Sequence, residues 1–135
     1  MGGVGCMKTT NYHDTLITAS PDTPVTVGTI PEKPETVAGA QHALLAGKPY
    51  AMTSDDLLHA AHLARGGDKD RDTFFAKPQA CLRASPLVKQ FGWGVHHDGE
   101  GRIALVGMDS EDYARLLADP AVKKAPGMRR SRQAR

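Results

Sequence analysis

The sequence predicts an α+β domain in which several short helices pack against a small antiparallel sheet. Two apolar-rich runs, WGVHH and RIALVGM, flank the glycine-containing turn DGEG at residues 98–101, a pattern typical of a β-hairpin in the C-terminal half. Several other segments have helical spacing, with capping residues at their starts and glycine or proline at their ends. The 9 prolines and 14 glycines indicate frequent turns and short elements. These features together favour the α+β class.

The first half of the chain contains one expected strand and two expected helices. NYHDTLITAS is rich in threonine and predicts a strand over residues 12–19. In TVAGAQHALLAGKP, Thr36 is a suitable cap for a helix that Gly47 ends. TSDDLLHAAHLARGG predicts the clearest helix, in which Thr53 or Ser54 caps the start and two aspartates suit the positive end of the helix dipole.

Two more short helices are expected before the hairpin. DKDRDTFFAKP predicts one that ends before Pro78, because proline cannot continue a helix. Ser85 followed by Pro86 is typical of a helix start, and Gly92 suits a left-handed residue just after the helix ends.

The hairpin and a final helix complete the expected fold. The hairpin pairs residues 93–97 with residues 102–106. DSEDYARLLADP then predicts an amphipathic helix from about Ser110 to Ala118, with Asp109 or Ser110 as its cap.

Charge divides the chain into a mildly acidic body and a basic end. Residues 1–120 carry 11 basic and 15 acidic residues, whereas residues 121–135 carry six basic residues and no acid. We therefore expect a flexible start or tag remnant at residues 1–8, a single α+β domain at residues 9–122 and a basic flexible tail at residues 123–135.

The composition also bears on the compartment and on partners. No apolar run approaches the roughly 18 residues of a membrane-spanning helix, so no membrane association is expected. The two cysteines are too few for a disulfide framework, which favours a reducing cytoplasm. These patterns do not determine the oligomeric state.

Long stretches of the chain resemble a bacterial family of unknown function, number 6157. The resemblance is carried by CLRASPL, by GWGVHHDGEGRIALVGMDSEDY, by the start TNYHDTLITASPDTPVTVGTIP and by PYAMTSDDLL. It covers nearly the whole chain from Met7 to about Arg130 and implies a single-domain bacterial protein. It implies no activity, so the function has to be inferred from the residues themselves.

The strongest specific hypothesis is an anion-binding site within CLRASPLVKQFGWGVHH, residues 81–97. Arg83, Ser85 and Lys89 straddle a predicted helix start, where unpaired backbone N–H groups favour an anion. Trp93 and His96 would complete the wall of this site. The sequence thus predicts a small domain that binds an anionic small molecule. It predicts no cofactor, because GWG lacks the spacing of a nucleotide-binding loop.

An enzyme is the first alternative. Cys81 is a candidate nucleophile, with His96 as its base and Arg83 as a positive neighbour that would stabilise a thiolate. A structural thiol is the simpler interpretation of Cys81, since free cysteine behaves as a small hydrophobe.

Nucleic acid and metal sites are weaker alternatives. The basic tail suits phosphate contacts, but it lacks interleaved aromatic residues. His59 and His62 are three residues apart and share a helix face. No zinc-binding motif accompanies them, so no metal site is predicted.

Overall fold

The computed structural model describes residues 9–129 and has the α+β arrangement that the sequence predicts. Those residues form a four-stranded mixed sheet with five α-helices packed around it. The helices are α1 (Val37–Leu45), α2 (Ser54–Ala64), α3 (Arg71–Phe75), α4 (Pro86–Gln90) and α5 (Glu111–Ala118). The strands are β1 (Thr15–Thr18), β2 (Trp93–His97), β3 (Ile103–Gly107) and β4 (Lys123–Pro126), in the order β3-β2-β1-β4 across the sheet.

The hairpin of β2 and β3 has the predicted partners, shifted by one residue at the turn. Trp93 pairs with Gly107 and His97 pairs with Ile103, so the loop covers residues 98–102. The carboxylate of Asp98 organises this loop by accepting hydrogen bonds from the N–H groups of Glu100 and Arg102, each at 2.9 Å. This local bonding takes Arg102 out of the strand that the sequence assigned to it.

The start of the expected basic tail is part of the sheet. Residues 123–126 form β4, which pairs in parallel with β1 from Thr15↔Lys123 to Thr18↔Pro126. The predicted α+β class is confirmed; within it the sheet is mixed, and residues 123–126, which the sequence assigned to the basic tail, form its edge strand. A four-residue edge strand with two lysines and a proline has weak strand propensity, and long-range pairing decides its conformation. Residues 130–135, the remainder of the predicted tail, lie outside the described residues.

Alternation along the strands divides the core between the two faces of the sheet. One face packs against α1, α2 and α4 and contains Ile17, Val95 and Ile103. The other face packs against α5 and contains Leu16 and Val106. Functional side chains on neighbouring strand positions therefore face different groups of helices.

The helix starts follow the predicted capping chemistry. Thr36, Thr53, Ser85 and Ser110 each accept a hydrogen bond from a backbone N–H in the first turn. Thr53 and Asp56 form a reciprocal capping box at the start of α2. Gly92 follows α4 with φ +75°, in the left-handed region that the sequence predicts for it.

Tyr113 connects α5 to the sheet through one buried hydrogen bond. Its hydroxyl accepts from the N–H of Ala19 at 3.0 Å, and its ring lies over Gly94, where a Cβ would sit 2.7 Å from Cε2. We expect Tyr113→Phe to lower the free energy of unfolding by about 1–2 kcal/mol, because the Ala19 N–H loses its partner. Urea unfolding of the variant and the wild type measures this loss, and equal midpoints would contradict it.

Candidate functional site

Cys81, Tyr12 and Arg83 form a cluster beside the face of the sheet that α1, α2 and α4 cover. The Tyr12 hydroxyl lies 3.2 Å from the Cys81 Sγ, within hydrogen-bond distance for sulfur. The guanidinium of Arg83 lies near enough to that hydroxyl to influence its ionisation. Cys81 is half-buried and forms no disulfide with the described residues. A thiol, a phenol and a cation therefore meet at one point.

The environment of the cluster keeps the Tyr12 phenol protonated. The pKa of Tyr12 is raised to about 12 by burial first and by the hydrogen bond and charge of Cys81, while Arg83 opposes the shift. At neutral pH the Tyr12 hydroxyl is thus a hydrogen-bond donor available to sulfur or to a bound acceptor.

A cavity opens beside this cluster, and we call it the Cys81 groove. It has a volume of about 390 Å³ and lies between residues 9–12 and residues 78–81, with Tyr12, Gln79 and Cys81 in its wall. A smaller cavity of about 180 Å³ shares Gln79 and Cys81 with the Cys81 groove. The larger volume is within the range that small-molecule sites occupy.

Arg83 is tied to the C-terminal part of the domain. Its Nε donates to the carbonyl of Pro126 at 2.6 Å, and its own carbonyl accepts from the N–H of Met128 at 2.8 Å. None of the three ion pairs among residues 9–129 involves Arg83. Arg83 thus has a fixed position while its charge is not paired with a carboxylate of the described chain.

The other residues of the predicted anion site are less available. Ser85 is buried; its hydroxyl donates to Gln41 Oε1 at 2.6 Å and accepts from the N–H of Leu87. Lys89 is half-buried on α4, a helix of five residues. The Ser85 hydroxyl is therefore occupied by the cap and by Gln41, and its role as an anion ligand stays a prediction.

Trp93 and His96 lie on opposite faces of the sheet. They are three residues apart on β2, and only residues an even number apart share a face. The Trp93 indole donates to the carbonyl of Thr29 at 2.8 Å and packs beside His42. The structure therefore separates these two residues, which the sequence placed in one wall.

His96 faces the side of the sheet that carries α5. Its Nδ1 lies 2.7 Å from the Tyr50 hydroxyl, and burial lowers its pKa while Asp98 and Asp14 oppose that shift. Burial, together with Asp98 and Asp112, raises the pKa of Tyr50, so this phenol stays protonated beside the imidazole. Cys81 has Tyr12 as its bonded side-chain neighbour, and the proposed Cys81–His96 pair stays a prediction without a contact to support it.

His97, next to His96, points toward the Cys81 side. It is fully buried, and its ring centroid lies 5.2 Å from that of Tyr12. Neither ring nitrogen has a hydrogen-bond partner among the described residues, although backbone groups of Val95 and Thr15 are near enough to oppose its pKa shift. Burial lowers the pKa of His97 to about 4, so the imidazole is neutral at pH 7.

The two histidines of α2 hold the following loop. His59 Nε2 lies 2.8 Å from the carbonyl of Lys69, and His62 Nε2 accepts from the N–H of Lys69 at 3.2 Å. Both rings also pack against Phe74. Within residues 9–129 no group of three or more His, Cys, Asp or Glu side chains is arranged to hold a metal ion.

A family comparison agrees with the resemblance seen in the sequence. The model of a family of unknown function, DUF6157, matches residues 7–133. The chain belongs to this family. No curated protein and no solved structure matches the DUF6157 chain. In the described part of this DUF6157 protein, no helix is long and apolar enough to cross a membrane.

Sequence reasoning about this DUF6157 protein missed Tyr12 as a site residue. Tyr12 and Cys81 are 69 residues apart, and no local pattern connects them. The segment that carries Tyr12 is positioned by Asp55 on α2, whose carboxylate accepts hydrogen bonds from Thr9 and Thr10. From the sequence, Asp55 was interpreted only as a negative charge that suits the start of a helix.

Proposed function

We propose that this DUF6157 domain binds a small anionic molecule in the Cys81 groove, with Arg83 and Tyr12 as its polar contacts. The observation that carries the proposal is a half-buried arginine with no ion-pair partner among residues 9–129, which lies outside the groove wall but next to Tyr12, the phenol that lines it. A guanidinium has five N–H donors, and the carbonyl of Pro126 accepts from one of them. The remaining donors suit a carboxylate or a phosphate.

The chemistry of the groove wall fits a small polar ligand. A protonated Tyr12 donates a hydrogen bond to an anionic oxygen, and the Gln79 side chain is fixed by donation to the carbonyl of Phe74 at 2.8 Å. Because the free thiol of Cys81 suits a reducing compartment, a cytoplasmic bacterial protein is the setting that we infer.

The proposal predicts that anion binding depends on Arg83. Titration with inorganic phosphate, citrate and adenosine monophosphate, followed by calorimetry, identifies the anion that binds the wild type best. Arg83→Met keeps an unbranched apolar side chain and removes the charge, so we expect about 1.5–3 kcal/mol of binding free energy to be lost, roughly a ten- to hundred-fold weaker affinity.

One arginine variant and one lysine variant test where the anion binds. Arg102→Met removes an exposed charge from the hairpin loop, where Arg102 pairs with Glu100, and should leave the affinity unchanged. Lys89→Met weakens binding only if the anion lies at the start of α4, as the sequence suggested. Equal affinity of Arg83→Met and the wild type, or no binding of any of these anions, would overturn the proposal.

A further inference from the structure

We propose a second binding site, for a neutral peptide-like ligand with an apolar side chain, at the uncovered edge of β3 beside Trp93. The site consists of a groove of about 490 Å³ together with the main-chain N–H and C=O of Leu105. We call it the Trp93 groove; its wall includes Ile30, His42, Leu45, Pro49, Trp93 and Leu105. It shares no lining residue with the Cys81 groove.

The direction of the Leu105 main chain follows from the hydrogen bonds of Ile103. The N–H of Ile103 donates to Met52 at 2.9 Å, and its carbonyl accepts from Tyr50 at 2.8 Å, so both groups point away from β2. In an antiparallel strand this orientation repeats at every second residue. The N–H and C=O of Leu105 therefore also point away from β2, and no group among residues 9–129 bonds them there.

The chain packs closely beside β3 on either side of Leu105. Residues 50–52 bond Ile103, and Gly28 lies against Gly107, where a Cβ on Gly28 would be 3.0 Å from the Gly107 Cα. The bonds from residues 50–52 stop before Leu105, so its outward main-chain groups have no partner among residues 9–129. Full pairing of two β3 edges would need the place that residues 50–52 occupy beside Ile103, whereas a single extended residue pairs with Leu105 without displacing them.

The chemistry of the groove defines the ligand further. A residue opposite Leu105 in antiparallel pairing offers one N–H and one C=O in the matching places and has its side chain on the same face as that of Leu105. That face is the apolar wall, where the rings of His42 and Trp93 have centroids 5.5 Å apart. Asp112, the carboxylate that reaches the groove, is already paired with Arg115 at 2.6 Å, which favours a neutral ligand.

The test uses N-acetyl-leucinamide, which carries the amide donor, the carbonyl acceptor and one apolar side chain. Because the chain has a single tryptophan, its fluorescence reports on this groove. We expect a saturable change in Trp93 fluorescence and a shift of the Leu105 amide resonance on titration. N-acetyl-N-methyl-leucinamide keeps its terminal carboxamide but lacks the leucine N–H that would bond the Leu105 carbonyl, so it should bind at least ten-fold more weakly.

Two exposed alanines near the end of α1 provide matched variants. Ala46 lines the groove and Ala43 does not, so Ala46→Phe should abolish the response and Ala43→Phe should leave it intact. The site is absent if N-acetyl-leucinamide gives no saturable response, if the N-methyl probe binds equally well, or if Ala46→Phe binds like the wild type. Each result is independent of anion binding at Arg83.

Discussion

Lowering the pH from 7 to 5 is expected to reduce the free energy of unfolding by about 2 kcal/mol through His97 alone. The imidazole is fully buried without a hydrogen-bond partner among the described residues, and burial lowers its pKa from 6.5 to about 4. The unfolded chain takes up the proton near pH 6.5, whereas the folded protein takes it up only near pH 4. The stabilising contribution is therefore present above pH 6.5 and is lost as the pH falls toward 4.

Two uncharged replacements separate this titration from packing. His97→Leu and His97→Gln differ in shape and polarity, but neither side chain binds a proton in this pH range. Both should show a flatter dependence of stability on pH between 7 and 5 than the wild type, as measured by urea unfolding. An unchanged slope in both variants would show that another group is responsible.

Replacing Asp55 with alanine is expected to have the largest effect on stability, about 3 kcal/mol or more. Its buried carboxylate accepts hydrogen bonds of 2.7 Å from the Thr10 N–H, the Thr10 hydroxyl and the Thr9 hydroxyl. Hydrogen bonds to a charged group contribute about 1.5–3 kcal/mol each, and buried donors left without a partner are costly. The variant also releases the segment that positions Tyr12.

Asp56 provides the matched control, because it is the next residue and also a carboxylate at the start of α2. Its carboxylate accepts a hydrogen bond from the Thr53 N–H and pairs with Arg71 at the surface. Asp56→Ala should therefore lower the free energy of unfolding by only about 1 kcal/mol. Urea unfolding measures both values, and alkylation of Cys81 reports whether the Tyr12 segment has moved. Equal losses for the two variants, with unchanged Cys81 reactivity, would contradict the anchoring role of Asp55.

Local chemistry made much of the fold predictable. A cap joins a side chain to a backbone group two or three residues away, so Thr36 and Ser85 were predictable without tertiary information, and Thr53 and Ser110 each as one of two neighbouring candidates. The turn at residues 98–101 likewise indicates the hairpin. The exact register of the hairpin could not be predicted, because the hydrogen bonds of the Asp98 carboxylate within the loop decide where β3 begins.

The candidate sites were predictable only in part. Cys81 and Arg83 stand out by residue type, but the sequence contains no sign that Tyr12 joins them beside the groove. The alternation of β2 shows that His96 and His97 must face opposite sides, but it does not say which one faces Cys81. The packing of Tyr12 against the His97 ring answers that question.

The sequence by itself determined the α+β class, the family, the helix starts and the hairpin, because each depends on short-range patterns or on long motif similarity. Only the tertiary structure decided that residues 123–126 join the sheet in parallel with β1, and that residues 50–52 bond Ile103 and leave Leu105 uncovered. Those features depend on pairing between segments far apart in the chain. Their free energy comes from the packed core, which no local pattern of residues contains.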